Sequence, residues 1–159
     1  ESTYTVRDEM VPVEGGSILV RLTTPCVAEE AENFPLFFNI HGGCGCVGTV
    51  NTEDYMLRRL TVNFKMVTVN ADYRLAPEHP FPTGLNDCLA ALKWVVQNVA
   101  SLKADLEKGF IVGGHSAGAM LSAALAHEAR DDPLFRSTPI TGQLLREPIV
   151  VTPQVVPER

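Results

Sequence analysis

A serine in a glycine-rich turn is the residue of this sequence that points most directly to chemistry. Ser116 is the centre of the pentad Gly114-His115-Ser116-Ala117-Gly118, which fits the pattern G-x-S-x-G. The apolar run before the pentad predicts a buried strand, and the run after it predicts a helix. A serine at a sharp strand-to-helix turn needs small residues two positions away, because a Cβ there would collide with the neighbouring element. The pattern predicts a nucleophilic serine, and an ordinary N-cap serine is the simpler alternative.

A second glycine-rich stretch, residues 41–48 (HGGCGCVG), follows another predicted strand. In an open parallel sheet, ligands bind at the edge formed by the carboxyl ends of the strands. Glycines let the backbone approach a substrate closely, so the N–H groups of Gly43 and Cys44, with that of Ala117, would point at a developing oxyanion. In this interpretation His41 anchors the stretch through hydrogen bonds, and Ser116 supplies the nucleophile.

The same stretch also fits the G-x-G-x-x-G fingerprint of dinucleotide-binding sites. Gly43, Gly45 and Gly48 occupy the glycine positions, and Asp72 ends the next predicted strand at about the expected distance. The fingerprint requires a helix that opens at the third glycine. Residues 49–52 (TVNT) instead separate that glycine from the first good helix former. Dinucleotide binding is therefore the weaker hypothesis, and no cofactor is predicted.

A metal site built from His41, Cys44 and Cys46 is a third interpretation. Zinc accepts these residue types, but the usual two-residue gap between cysteines is absent and no fourth ligand is evident. We therefore predict no metal. With Cys26 and Cys88 the chain has four cysteines and no dense disulfide framework, which indicates reduced thiols and a cytoplasmic location.

Strands and helices alternate along the predicted chain after an N-terminal hairpin. Apolar, β-prone runs predict strands at residues 3–13, 17–24, 34–40, 65–71, 110–112 and 142–151. Helical spacing predicts helices at 53–64 (capped by Thr52 or Asn51), 83–100 and 117–131. Residues 25–33, 72–82 and 152–159 are predicted to be irregular. This alternation predicts an α/β fold with an antiparallel hairpin followed by a mostly parallel sheet flanked by helices.

The composition argues against several classes of function. The 159 residues are 45% hydrophobic and 20% charged, which suits one globular domain with a buried core. The formal net charge is −6 and the sequence contains no run of Lys and Arg, so nucleic acid is not an expected partner. No apolar stretch reaches membrane-spanning length, and no signal peptide is expected.

Three motifs, in this order along the chain, resemble those of the hormone-sensitive-lipase family of α/β-hydrolase esterases. The resemblance is greatest to the fungal members of this family. The three motifs are HGGCGCVG, DYRLAPEHPFP (residues 72–82) and GGHSAGAM (residues 113–120). The resemblance implies an α/β-hydrolase fold and a serine esterase that acts on small esters. It makes Ser116 the nucleophile, Gly42, Gly43 and Cys44 the oxyanion motif, and Ala117 a further N–H donor. Cys44 stands where the family has its third glycine.

The resemblance also implies a group of supporting residues. The segment that braces the serine turn and the oxyanion motif contains Asp72, Tyr73, Arg74 and Glu78. For Arg74 and Glu78 we expect a structural ion pair with no catalytic role. The remaining motif residues that support the site are His41, Gly114, His115 and Gly118.

A catalytic base is missing from the sequence. The family takes its triad Asp and His from loops after later strands, in the order Ser, Asp, His. The only histidine after Ser116 is His127, which lies about 16 Å along the predicted helix and cannot reach the serine. We therefore expect residues 1–159 to form a single partial α/β-hydrolase domain, truncated after the nucleophile region. The missing parts would be the cap and the C-terminal portion that carries the triad Asp and His.

Two functions remain compatible with this sequence. The first is a carboxylic-ester hydrolase that is impaired or incomplete as this chain alone, with a complementary C-terminal fragment or a second copy as partner. The alternative is a non-catalytic α/β-hydrolase-like domain that binds a small ester-like or apolar ligand, or a protein. Truncation would expose a strand edge, which predicts association in either case.

Overall fold

The computed structural model describes residues 3–26 and 32–149. The strands within these ranges are β1 (Tyr4–Val13), β2 (Gly16–Pro25), β3 (Leu36–Ile40), β4 (Val67–Ala71), β5 (Phe110–His115) and β6 (Gly142–Arg146). The α-helices are α1 (Asp54–Phe64), α2 (Thr83–Gln97) and α3 (Ala117–Asp131), with short 3-10 helices at Val99–Leu102 and Pro133–Phe135. Within the described ranges, no helix is long and apolar enough to span a bilayer. The predicted irregular tail, the end of the last predicted strand and part of the predicted acidic loop lie outside the described residues.

The strands form one sheet in the order β1-β2-β4-β3-β5-β6. The pairings of β2 with β1 and with β4 are antiparallel, and the three remaining pairings are parallel. Val13 pairs with Gly16 across a two-residue turn, in which Gly15 has a φ of +75° that glycine adopts without steric cost. The predicted hairpin followed by a mostly parallel sheet is confirmed.

The two central strands are buried along their whole length. All five residues of β3 and all five of β4 are inaccessible to solvent, as expected for parallel strands covered on both faces. Large side chains such as Phe37 and Phe38 fill this core. Asn39 and Asn70 are buried beside them, although the apolar pattern of their strands gives no hint of polar groups in the core.

The beginning of α1 differs from the prediction. The N-cap residue is Glu53, not Thr52 or Asn51, and its side chain makes no capping hydrogen bond. The hydroxyl of Thr52 instead accepts the N–H of Thr49 at 3.0 Å in the preceding turn. The Glu53 carboxylate turns inward because it has hydrogen-bond partners in the core.

Two further boundaries also differ from prediction. The strand β5 continues through Gly113 and Gly114 to His115, because its backbone pairs with β3 along this stretch, Ile40 opposite Gly114. The helix α2 ends at Gln97, before the chain continues into a 3-10 turn. The extension of β5 brings the strand up to the residue before Ser116.

Candidate active site

Ser116 lies at the junction of β5 and α3 in a strained backbone conformation. Its φ and ψ are +53° and −117°, a region that side-chain-bearing residues rarely occupy. Its N–H donates to the carbonyl oxygen of Arg146 in β6 at 2.9 Å. The Ser116 hydroxyl makes no capping hydrogen bond to α3. This geometry argues against an ordinary N-cap serine.

The two outer glycines of the pentad permit this turn. A Cβ at Gly114 would meet the carbonyl oxygen of Ile40 and the backbone of Gly118. A Cβ at Gly118 would meet the carbonyl oxygens of Ile40 and His41. The first turn of α3 therefore packs directly on the end of β3, and the G-x-S-x-G spacing follows from this close approach.

The glycine loop (residues 41–48) lies against the same turn. The N–H groups of Cys46 and Val47 donate to the carbonyl oxygen of Gly43 at 2.9 and 3.0 Å, which closes the loop on itself. A Cβ at Gly42 would lie 2.9 Å from the carbonyl oxygen of His115, so the loop and the serine turn are in contact. Cys44 has a φ of +55°, a left-handed conformation that costs a non-glycine residue roughly 1–2 kcal/mol.

Several backbone N–H groups at this junction have no partner within the described part of the chain, and three of them are predicted oxyanion donors. These three belong to Gly43, Cys44 and Ala117, the first helical residue of α3. Cys44, Gly45 and Ala117 line one cleft with a volume of about 200 Å³, so the loop and the start of α3 meet there. Unpaired N–H groups at a helix N-terminus favour negative charge. The junction can therefore bind an anionic oxygen.

His41 is buried at the start of the glycine loop. Its Nδ1 donates to the carbonyl oxygen of Gly42 at 2.8 Å, and its ring stacks on Tyr73 at 4.4 Å between centroids. The Tyr73 hydroxyl donates to the carbonyl oxygen of His41 at 3.2 Å, and burial raises the Tyr73 pKa. Asp72 Oδ1 lies 3.9 Å from His41 Nε2 and accepts the N–H of Val50 at 2.9 Å. These contacts make His41 a structural anchor of the loop.

The two alternative interpretations of the loop do not fit this geometry. A dinucleotide fingerprint needs a helix at Gly48, but α1 begins only at Asp54. His41 is buried and committed to the backbone, whereas Cys44 and Cys46 are exposed. Among the residues that the structure describes, no group of three or more His, Cys, Asp or Glu side chains is arranged to hold a metal ion.

The predicted ion pair of Arg74 with Glu78 is wrong. Arg74 instead binds Asp87 of α2 with two guanidinium nitrogens at 2.7 and 2.9 Å, and this carboxylate raises the Arg74 pKa. Arg74 also donates to the carbonyl oxygen of Glu14 at 2.9 Å, which connects the segment to the N-terminal hairpin. Glu78 is exposed. Asp87 is buried and accepts two hydrogen bonds from the planar guanidinium group, so Arg74 pairs with Asp87 and not with Glu78.

A partly buried polar network behind the serine turn was not anticipated from the sequence. The Glu53 carboxylate accepts a hydrogen bond from Asn39 at 2.9 Å and one from the guanidinium of Arg146. Asn39 also donates to Asn70 at 3.0 Å, and His115 Nδ1 lies 3.8 Å from Glu53. Arg146 is the residue whose carbonyl oxygen accepts the Ser116 N–H. The network therefore connects the start of α1 to the strand that supports the serine.

The cleft beside the junction is mostly apolar. Its walls include Tyr73, Leu85 and Leu121, and the exposed side chains of Phe81 and Met120 also line it. Apolar clefts with a few polar groups are the usual form of small-molecule sites. This cleft can accept a short apolar group next to the unpaired N–H groups.

No histidine within the described ranges hydrogen-bonds to the Ser116 hydroxyl. The His115 ring is directed towards acidic side chains, with Nε2 3.2 Å from Glu147. The buried His41 ring is held by its hydrogen bond to the loop backbone and its stacking on Tyr73, and His79 and His127 are exposed. The described residues thus bring together a serine and an anion-binding junction without a histidine that is hydrogen-bonded to the serine.

Comparison with known proteins agrees with this architecture. Residues 37–159 match the family model described as alpha/beta hydrolase fold. A carboxylesterase of Mycobacterium tuberculosis, NlhH, is 39% identical over 140 residues, which are 88% of this chain and 42% of the relative.

Two solved structures are also similar to the chain. A crystal structure of vibralactone cyclase superposes with a TM-score of 0.94 at 40% identity, and the match covers 99% of this chain and 46% of the other. EstE1, a thermophilic carboxylesterase from a metagenomic library, gives a TM-score of 0.86 at 36% identity. This match covers 98% of this chain and 50% of EstE1. The chain thus spans about half or less of these proteins. It belongs to the α/β-hydrolase family, and its similarity to carboxylesterases confirms the resemblance to the hormone-sensitive-lipase type.

Proposed function

We propose that this chain carries the nucleophile and the oxyanion-binding elements of a serine carboxylic-ester hydrolase. The observation that carries the proposal is the strained Ser116 between β5 and α3, whose hydroxyl does not cap the helix. Strain of this kind at a strand-to-helix turn is typical of a serine held for nucleophilic attack. The carboxylesterases among its relatives support ester substrates.

In the proposed reaction the Ser116 oxygen attacks the carbonyl carbon of an ester. The carbonyl oxygen becomes an oxyanion, and the N–H groups of Gly43, Cys44 and Ala117 stabilise it. The alcohol then leaves, and water releases the acid from the acyl-enzyme. Loss of one such donor costs about 10²–10³ in rate in comparable enzymes, and the backbone donor at Cys44 survives the replacement of glycine.

In this proposal the general base comes from outside the described residues. A serine without a base is an ordinary alcohol. We propose that residues 1–159 form part of an α/β-hydrolase domain, and that a complementary C-terminal portion or a second copy supplies His and Asp. The strand β6 offers the docking position, because it pairs only with β5 in the described sheet.

The cleft beside Ala117 suggests the kind of ligand. Its volume of about 200 Å³ and its apolar walls suit the short acyl or alcohol group of a small ester.

The free cysteines within the described ranges favour the cytoplasm, the location expected from the sequence.

Ester hydrolysis and covalent labelling together test the proposal. We expect the purified chain, supplied with its complementary portion where activity needs it, to hydrolyse p-nitrophenyl acetate and butyrate. A fluorophosphonate should add once, as measured by intact mass, and Ser116→Ala should lose both turnover and adduct. Ser101→Ala is the matched control, because Ser101 is an exposed serine at a helix end and should change neither. Ligand binding without turnover or adduct would instead favour the non-catalytic binding domain.

A further inference from the structure

Two exposed cysteines flank Gly45 in the glycine loop, and the ester chemistry uses neither of their side chains. Cys44 and Cys46 are free and exposed, whereas Cys26 is half-buried and Cys88 is fully buried. The Cys46 sulfur lies 3.6 Å from the carbonyl oxygen of Cys44. The Cys46 side chain is therefore folded back towards the residue with which it would pair.

The backbone between the two thiols suits a disulfide. Neighbouring Cα atoms are about 3.8 Å apart, so residues two positions apart in a turn fall within the roughly 4.4–6.8 Å that disulfides span. Cys44 and Gly45 have φ values of +55° and +72°, so the chain turns between the thiols. A Cβ at Gly45 would meet no atom within 4 Å, so the turn between the two cysteines is open on that side.

We propose that Cys44 and Cys46 form a dithiol–disulfide pair that reacts with a low-molecular-weight disulfide such as glutathione disulfide. One cysteine thiolate attacks a glutathione sulfur, the glutathione S–S bond breaks, and one glutathione thiolate leaves. The second cysteine thiolate then attacks the mixed disulfide, the Cys44–Cys46 bond forms, and the second glutathione leaves. Two electrons pass from the protein to the glutathione, and the two cysteine protons are taken up by the two glutathione thiolates.

The bond would alter the part of the loop that faces the cleft. Cys44 lines the cleft beside Ala117, and its own N–H is one of the three unpaired donors. Closing a ring through Cys44 changes the backbone angles that direct this N–H. Oxidation would therefore lower ester hydrolysis, a consequence that rests on the proposed function, whereas formation of the bond does not.

Intact mass and peptide mapping in glutathione buffers test the pair. The unmodified chain and Ser116→Ala should each lose the mass of two hydrogens, with the bond mapped to residues 44 and 46. Cys46→Ser should instead gain one glutathione on Cys44. Cys26→Ser is the matched control and should still form the bond. In an active preparation, oxidation of the unmodified chain should lower hydrolysis at least tenfold, and dithiothreitol should restore it.

Two results would overturn the pair. One is a stable mixed disulfide on the unmodified chain at the level seen in Cys46→Ser, because Cys46 would then not resolve it. The other is a disulfide-linked dimer on a non-reducing gel in place of the internal bond. If the bond forms but no preparation hydrolyses esters, the pair stands and the proposed function fails.

Discussion

At the scale of the residue, the candidate site depends on a serine whose backbone is held in an unfavourable conformation. Ser116 has a φ of +53°, and its neighbours hold it there through the bond from its N–H to Arg146 and the packing of Gly118 on β3. Such conformations cost roughly 1–3 kcal/mol and persist only where the surroundings over-determine them. The structure therefore gives up stability at this position.

Replacement of Ser116 by glycine should recover part of this stability. Ser116→Gly and Ser116→Ala both remove the hydroxyl, but only glycine relaxes at positive φ. Glycine loses more conformational entropy on folding than alanine, and this loss offsets part of the relieved strain. We therefore expect Ser116→Gly to be about 1 kcal/mol more stable than Ser116→Ala. Urea unfolding of the two variants measures this difference. Equal midpoints, or a more stable Ser116→Ala, would show that the turn is not strained.

The sequence predicted the residues whose roles are local and missed those whose partners are distant. The spacing of the glycines around Ser116 lies within five consecutive residues, so the motif could be recognised although these glycines pack on the end of β3. Glu53 and Arg146 are 93 positions apart, and nothing in the pattern of either segment pairs them. Asp87 likewise displaced Glu78 as the partner of Arg74, because burial and bidentate geometry outweigh proximity along the chain.

At the scale of the element, α2 buries a thiol in its apolar face. Cys88 is fully buried in the core together with Leu92 and Val95. Burial raises the pKa of the Cys88 thiol far above its ordinary value of 9.0, because the core cannot solvate a thiolate. The folded protein therefore keeps a proton that the unfolded chain releases in alkaline solution.

This difference predicts a loss of stability in alkaline solution. The contribution of the protonated Cys88 thiol to the free energy of unfolding is complete below about pH 9. Above that pH the unfolded state binds fewer protons than the folded state, so each further pH unit lowers the free energy of unfolding by up to about 1.4 kcal/mol. Cys88→Ala should make the decline in unfolding free energy between about pH 9 and pH 10 shallower, although the variant is less stable overall. Urea unfolding under reducing conditions measures the slopes, with Cys26→Ala as control. Parallel slopes for the Cys88→Ala and unmodified chains would contradict the prediction.

At the scale of the whole molecule, the two edges of the sheet differ in protection. On β1 the residues Arg7 and Glu9 pair at 3.0 Å, and Asp8 pairs with Arg21 at 2.8 Å. Charged side chains on an edge strand oppose pairing with another chain. On β6, Gln143 is exposed without charge and Leu144 is 42% exposed. Of the two edges of the described sheet, β6 is therefore the less protected against pairing with a further strand.

The difference between the edges predicts which substitution affects assembly. Without a complementary portion, we expect the chain to self-associate through β6, so that its sedimentation coefficient rises with concentration. Leu144→Lys adds a charge at this edge and should return the protein to a monomer of 17.3 kDa. Met10→Lys adds the same charge to β1, where Met10 is 61% exposed, and should leave the association unchanged. A monomer at every concentration, or association that only Met10→Lys removes, would exclude β6 as the docking edge.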